Sequence, residues 1–596
     1  MRDYLAVEIM ADEHRQTLEA LIDRLCATGL WRQAARRRDL VVLVETTRPP
    51  VVQLLPGDSG IVIGDLHDAA AAREGYARPF EMYGLAGGDR YDTAQRLTTR
   101  AWGRYVALLT RGEGPCAVLR DPMGVSEAIG WTRDGLRFVA SRLPDDSALW
   151  PAGLAIDWPK LGAILRRKAL ASHLVPLVGV RSYDPGVLAF SDGATWRAWS
   201  PLSWVERDDR RLPPADLARV VDGVVANLAR GRQGVLCEIS GGIDSAIVTA
   251  ALKRCGATVS QTVHHFWPQV EGDERPFAEA VAEQAGLPLT TVSRGLVALD
   301  AEKLARSSAG PRPTYMAGDP DHDADLARRL DQDGTDCMFT GRGGDAVFYQ
   351  MAAVELVVDL VRGGGLAGGR RAALARLAQR TGRTVWSLLA EASRGGRSLP
   401  GGAERFVFLA QDAPAADIVH PWLADLRGVG PAKRLQLRAI VNNLSAFRES
   451  LRHRRGDVFD PLLSQPVVET CLSIAAPRLA LGPADRPFAR QAFADRLPQA
   501  VLHRQGKGNV SVFFARSLAA SLDFLRPYLL EGELAKAGLL DLAALDAALD
   551  RDSLIWFDHT GDIFIVLALE AWARNWRERI GKAETTSHAG LQPTGG

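Results

Sequence analysis

An α/β protein in two parts, α+β over the whole chain, is what this sequence predicts, and three observations predict it. From Met1 to about Val205, short alternating apolar segments such as DLVVLVE, SGIVIGD, RYVALLTR and LRFVASR are separated by turn residues, the pattern of hairpin-rich β structure. From about Leu217 to Ile580, apolar strand-like runs alternate with helical stretches, which implies a doubly wound parallel sheet. Between them VERDDRRLPPAD, ending at Asp216, is charged and Pro-rich and reads as a linker.

In the first part a helical patch from Glu13 to Cys26 sits among the strands. In the second, VLCEI (Val235 to Ile239) is an apolar strand and Ser240 to Gly242 a tight loop. Ser245 to Arg254 is a helix stopped by Gly256, and TVSQTVHHF (Thr258 to Phe266) is the next strand. The helix RPFAEAVAEQ, stopped by Gly286, precedes a third strand, LPLTTVS. DCMFT (Asp336 to Thr340) is a further strand that feeds a Gly-rich loop. Long helices after Ala352 form an all-α part, and residues 581–596, ending ETTSHAGLQPTGG, read as a disordered tail.

Composition narrows the function. The 596 residues are 47% hydrophobic and 24% charged, ordinary for a globular protein of a few domains. A net charge of +1 gives no global field for nucleic acid or an anionic membrane. The six cysteines form no CxxC pair, which argues against a zinc site and a disulfide framework and for reduced thiols in a cytoplasm. MRDYLAVEIM lacks a signal-peptide layout, and no apolar run approaches the ~20 residues a membrane span needs.

Two loops carry chemistry. Ser240-Gly241-Gly242-Ile243-Asp244-Ser245 lies between a strand and a helix, where glycines let the backbone approach a phosphate and the helix start offers free N–H groups and a positive dipole end. Ser240 and Ser245 can add hydroxyl donors. No Lys follows as in GxxxxGK[ST], so this is not the Walker loop. Thr340-Gly341-Arg342-Gly343-Gly344-Asp345 follows the DCMFT strand. On a parallel sheet both loops lie at one edge, so Asp244 and Asp345 can converge on one Mg²⁺, a hard ion that takes carboxylate and phosphate oxygens.

SGGIDS resembles the pyrophosphate loop of the asparagine synthetase superfamily, and TGRGGD is similar to its second loop, usually Ser-Gly-x-Gly-Ser-Asp. GRYVALL, VLRDPMGVSEAIGW and LRFVAS resemble the core hairpins of that family's glutaminase-type domain. HPWLADLRG, DVFDPLLSQPVVETCLSIA, RPFARQAFADRLPQAVLHRQGKG and GDERPFAEAVAEQAGLPL look most like the lasso-peptide macrocyclases within it. The resemblance implies an αββα Ntn-hydrolase (glutaminase-like, class II amidotransferase-like) domain over 1–205 and an ATP-pyrophosphatase synthetase domain, adenine nucleotide alpha hydrolase-like, over 217–580. It implies ATP and Mg²⁺ as cofactors and a precursor peptide as substrate, with an Asp or Glu side chain adenylated and attacked by the peptide's own α-amine. A leader peptidase and a leader-binding protein are the implied partners.

The same resemblance implies roles for particular residues. Ser240, Gly241, Gly242 and Ser245 would cradle pyrophosphate, Asp244 and Asp345 would hold Mg²⁺, and Thr340, Gly341, Gly343 and Gly344 would bind nucleotide. Ile239 and Phe266 would offer backbone contacts near adenine. Lys507, in RQGKGN, resembles the lysine placed over the reacting acyl phosphate, where an ammonium in a dry site stabilises developing negative charge.

Three departures stand out. Position 2 is Arg2 where glutamine-dependent members carry the nucleophilic Cys, so ammonia is not the expected acceptor. Arg342 stands where asparagine-forming members have Glu, and Gly344 where a Ser hydroxyl is usual. An asparagine- or β-lactam-forming ligase acting on a small molecule is the nearest rival reading, and a non-catalytic peptide-binding chaperone the rival from another class.

Other residues carry blander expectations. Of His264 and His265, adjacent on a strand, one should point in and one out, with no Cys or carboxylate at ligand spacing. Asp273 and Glu274 precede a helix and suit capping, while the resemblance equally implies acidic residues near the nucleotide here. The basic stretch Gly368 to Arg383 reads as a solvated helix face, and the helix from Ala515 and the aromatics Trp556, Phe557 and Trp572 as core.

Overall fold

The computed structural model describes residues 2–112, 114–205, 207, 211–267, 273–332, 334–362, 370–393, 406–445, 450–504, 510–556 and 559–589. Among the described residues twelve strands form the N-terminal part: β1 (Tyr4–Ile9), β2 (Trp31–Arg37), β3 (Leu40–Glu45), β4 (Val52–Leu55), β5 (Gly60–Asp68), β6 (Ala101–Leu109), β7 (Ala117–Arg120), β8 (Ile129–Arg133), β9 (Leu136–Ala140), β10 (Arg181–Ser182), β11 (Val187–Ala189) and β12 (Thr195–Arg197). They pair antiparallel in two six-stranded sheets, ordered β10-β8-β9-β1-β3-β2 and β12-β11-β7-β6-β5-β4.

Strand alternation builds the layers. Tyr4, Ala6, Val42 and Val44 face Ile61, Ile63, Val106 and Leu108 in a sheet-on-sheet core. The opposite side of β1 (Leu5, Val7, Ile9) packs on Leu18, Leu21, Ile22 and Leu25 of the helix Arg15–Ala27. Val62, Ala107 and Leu109 pack on Ala94 and Leu97 of the helix Arg90–Arg100. The result is the expected helix–sheet–sheet–helix stack.

The C-terminal part holds β13 (Val235–Glu238), β14 (Val259–Phe266), β15 (Thr290–Ser293), β16 (Cys337–Phe339) and β17 (Asp457–Phe459), all parallel, in the order β15-β14-β13-β16-β17. The helices Pro214–Ala229 and Ile243–Arg254 cover the face that carries Val235 and Cys237. Leu326 and Leu330 of the helix Pro320–Leu330 cover the face that carries Leu236 and Met338. Burial on both faces explains why these strands read as continuous apolar runs.

Several expectations need correction. β17 was not foreseen: the region after Ala352 is not all-α, because DVF pairs with β16 at the sheet edge. The Ser245–Arg254 helix starts earlier, at Ile243, so Asp244 and Ser245 lie in its first turn. The LPLTTVS strand shrinks to Thr290–Ser293, and the helix expected from Ala515 runs Val510–Ala520. The helix Thr560–Ala589 continues into the segment expected as tail. Trp572 is fully buried, as expected of core, whereas Trp556 is 79% exposed; Phe557 lies outside the described residues.

The two parts are fastened by buried polar contacts. Gly223 brings the helix Pro214–Ala229 against the helix Ala69–Glu74 so closely that a Cβ there would sit 2.1 Å from the Ala72 carbonyl oxygen. Asn227 donates to the Tyr76 carbonyl and accepts from the Arg78 N–H. Glu469, itself buried, receives Arg73 at 2.6 Å and the Trp199 indole N–H at 2.8 Å.

Candidate active site at the carboxyl edge of the parallel sheet

β13 leads on to β14 on one side and β16 pairs on its other side, so the sheet order reverses between β13 and β16. Crevices outside the carboxyl ends at such a reversal are where doubly wound sheets bind ligands. The loop after β13 and the loop after β16 both open there.

The first loop is held by its own serines. The Ser240 N–H donates to Ser245 Oγ at 3.1 Å, the Gly242 N–H donates to Ser240 Oγ at 3.3 Å, and Ser245 Oγ donates to the Gly242 carbonyl. In this conformation both hydroxyls shape the turn, a use the sequence did not suggest. Gly241 has φ +78°, a left-handed value that glycine adopts without strain. Gly242, at the N-cap of the helix Ile243–Arg254, has no side chain to cap the first turn, so first-turn amides face the crevice with the positive helix end behind them.

The second loop packs directly on the first. A Cβ on Gly341 would lie 2.4 Å from the Ser245 amide nitrogen, and one on Gly344 would lie 2.3 Å from Asp244 Oδ1. With no side chain at Gly344 the second loop closes directly on the Asp244 carboxylate. Gly343, at φ +86°, opens the short helix Gly344–Val347. Thr340 Oγ1 binds Asp460 and accepts the Arg342 N–H, which fixes the loop's root. Gly341→Ala is expected to force the loops apart, because the colliding atoms are backbone. The expected cost is about 1–3 kcal/mol of stability with loss of nucleotide turnover, read by thermal denaturation and ATP–pyrophosphate exchange.

Asp244 is buried and Asp345 exposed, yet both aim at one point. Arg486 Nη1 lies 2.5 Å from Asp244 Oδ2 and 2.9 Å from Asp345 Oδ1. Two carboxylates converging on a single positive group form a donor set suited to a hard divalent cation, so these residues fit Mg²⁺. Arg486 has a left-handed φ of +51°, uncommon for a side-chain-bearing residue, and is also paired with Asp485 at 2.6 Å. Burial works against its charge, but Asp244, Asp485 and Asp345 hold it more firmly protonated than a free arginine.

Arg486 was not anticipated, although it opens the RPFARQAFADRLPQAVLHRQGKG stretch that carries part of the resemblance. Arg504 was also missed. It donates to the Gly241 carbonyl at 3.0 Å, pairs with Glu274 at 2.5 Å, and lies over the Phe277 ring. Glu274 therefore braces the loop rather than capping a helix, whereas Asp273 accepts the Arg275 N–H. Lys507, three positions beyond Arg504, lies outside the described residues.

The Ile239 backbone is engaged by the protein, its N–H with the Val263 carbonyl at 2.9 Å and its carbonyl with His264 Nδ1 at 2.7 Å. The Phe266 carbonyl accepts the Arg294 N–H, and the Phe266 ring lies 4.2 Å beneath the Arg275 guanidinium. His264 is buried and the His265 side chain is only 6% exposed, so neither points out to solvent, because helices cover both faces of the sheet. On the basic stretch, the helix Arg370–Thr381 sends Arg380 to the Ala480 and Gln350 carbonyls.

Away from this edge, Arg2 lies in the cleft that faces β17. Its guanidinium pairs with Asp457 at 2.8 Å, and among the described residues no cysteine lines the cleft. Among the described residues no helix is long and apolar enough to cross a membrane.

Residues 216–574, which carry both loops and all five parallel strands, match the model of the asparagine synthase family. A comparison with curated proteins finds no relative that matches. The family match spans more than half of the chain and coincides with the site just described, so the chain belongs to the asparagine synthase family and is an ATP-dependent amide-bond-forming ligase.

Proposed function

We propose that the protein closes a macrolactam in a lasso-peptide precursor, in the cytoplasm, with ATP and Mg²⁺. The observation that carries this reading beyond the family is Arg2 locked onto Asp457 in a cleft that no cysteine lines. Without a thiol there, glutamine is not expected to supply ammonia, which favours an amine carried by the substrate itself. The resemblance of the C-terminal stretches to lasso-peptide macrocyclases supports a peptide that provides both groups.

In this reading the loop formed by Ser240, Gly241, Gly242 and Ser245 cradles the β- and γ-phosphates. Thr340, Gly341, Gly343 and Gly344 form the facing wall, and Ile239 and Phe266 border the base. Mg²⁺ held by Asp244 and Asp345 supplies charge neutralisation for the phosphates. An Asp or Glu side-chain carboxylate of the peptide attacks the α-phosphorus and pyrophosphate leaves. The peptide α-amine then attacks the acyl carbon, AMP leaves, and the amine proton is lost. Lys507 stabilises charge on the activated intermediate. The rest of the task is positioning, since bringing the peptide's own ends together converts an intermolecular reaction into an intramolecular one. A leader peptidase and a leader-binding protein deliver the trimmed precursor.

The test is mass spectrometry of a leader-trimmed candidate peptide incubated with the protein, ATP and Mg²⁺. A product lighter by one water, with AMP released, is the expected result. An unchanged peptide together with pyrophosphate exchange driven by free amino acids would instead assign the enzyme to small-molecule amide synthesis, the asparagine- or β-lactam-forming type.

A further inference from the structure

Glu238, His265 and His322 meet under the first loop, on the sheet face covered by the helix Pro320–Leu330. They come from the ends of β13 and β14 and from the first turn of that helix, and their donor atoms all lie within 4.8 Å of one another. Glu238 Oε1 is 2.8 Å from His322 Nε2 and 3.9 Å from His265 Nδ1. A tetrahedral zinc with ligands at about 2.0–2.2 Å sets its ligand atoms about 3.3 Å apart, within this spread.

A second, independent feature points to a ligand. The His265 side chain is only 6% exposed, and its Nε2 is bound to Asp325 at 2.9 Å, which places the ring proton on that side. Its Nδ1 is then a bare lone pair, buried, without a hydrogen-bond partner, and turned toward the Glu238 carboxylate. A lone pair facing a carboxylate in a buried site calls for a cation between them. A carboxylate that fixes the far nitrogen of a histidine is also the usual outer partner of a metal-bound imidazole. His322 differs: its Nε2 is bound to Glu238 at 2.8 Å, and its Nδ1 faces Asp319 Oδ2 at 3.9 Å, beyond hydrogen-bond distance.

We propose that Glu238, His265 and His322 bind a divalent first-row metal of the zinc type, in a site separate from the Asp244–Asp345 pair. Two imidazoles and one carboxylate select zinc or cobalt over magnesium, which prefers oxygen ligands. Binding needs His322 to move its ring proton from Nε2 to Nδ1, toward Asp319, so that Nε2 joins the ligand set and no proton is released. The metal would clamp the ends of β13 and β14 two residues before Ser240, and it does not depend on which substrate the enzyme activates.

The experiment is Co²⁺ titration of the full-length, chelator-stripped protein, followed by visible absorption, with Zn²⁺ competition and thermal denaturation. One equivalent of Co²⁺ with the d–d bands of a four-coordinate site, displaced by Zn²⁺ and raising the melting temperature, is expected. Glu238→Gln and His322→Gln should each weaken binding at least tenfold while circular dichroism stays unchanged, and Asp325→Asn should weaken it about 10- to 100-fold. The signal should persist in Asp345→Asn. Absence of the bands in the folded wild-type protein, equal binding by Glu238→Gln, or loss of the signal in Asp345→Asn would each overturn the site.

Discussion

Asp345→Asn is expected to lower ATP–pyrophosphate exchange by on the order of 10²–10³-fold while the melting temperature stays near that of the wild-type protein. The two halves of that expectation have different causes. Asp345 is about half exposed, with its side chain at 54%, and among the described residues its side-chain ion pair is the one to Arg486. Substitutions at such positions usually change stability by no more than ~0.5 kcal/mol. In the proposed reading catalysis depends on the carboxylate charge, because two negative groups aimed at one point would hold the divalent cation and one would not. The same substitution at Asp244 is a poorer test. Asp244 is buried against Arg486 and against Gly344, so its loss leaves that buried guanidinium with Asp485 and Asp345 alone and disturbs the packing of the two loops, which confounds folding with chemistry. Exchange within threefold of wild type in Asp345→Asn would remove this residue from the metal site.

The expected loss also bears on Arg486. With both carboxylates engaged by its guanidinium, a metal-bound nucleotide must compete with that side chain or share the carboxylates with it. The left-handed backbone at Arg486 shows that the surrounding contacts, and not local preference, hold it in place.

What the sequence disclosed and what it hid divide along a physical line. The strand–loop–helix around Ser240 and the loop around Gly341 were legible because each is local: an apolar run, glycines, then a helix, all within about a dozen residues. Their meeting was legible as well, since neighbouring parallel strands must present their loops at one edge. Contacts between distant segments were not. β17 is three residues of DVF that become a strand only because β16 offers a free edge. Arg486 reaches Asp244 across 242 positions, and no spacing rule connects them. The carboxylates beside His265 come from β13 and from the helix Pro320–Leu330, so a search at ligand spacing along the chain could not find them. Trp556 misled for the opposite reason: a large apolar residue reads as core, but composition does not say which face of a helix is covered.

Asp457→Asn is expected to be the most destabilising single change outside the nucleotide loops, by about 3–5 kcal/mol at neutral pH. Asp457 is 5% exposed and stands at the start of β17, where Arg232, Arg2, Arg48 and Arg104 approach it at 2.7, 2.8, 3.4 and 3.6 Å. Three of these arginines come from the antiparallel sandwich and one from the synthetase half, so a single carboxylate neutralises a positive cluster that straddles the two. Arg104 and Arg232 also lie over the Phe459 ring, at 4.3 and 4.9 Å, which fixes them where they most need a counter-charge. Asp65, paired with Arg104, is the other carboxylate in contact with this group and cannot replace the missing one for four cations. Burial alone would raise the Asp457 carboxyl, but Arg104, Arg2, Arg232 and Arg48 outweigh it and hold the group well below the usual carboxylate range. The sign of the pH dependence follows. Because the folded value is depressed, this stabilisation is fully present above the unfolded aspartate value of about 3.9 and is lost as pH falls below it toward the folded value. The gap in urea midpoint between wild type and Asp457→Asn should therefore be constant from about pH 5 to 7 and narrow below about pH 4. The same two midpoints, measured at pH 7 and pH 3, decide the matter: a gap that is negligible at pH 7 would mean that the arginines find enough water or other counter-charge without Asp457, and that the two halves are held together by their apolar contacts instead.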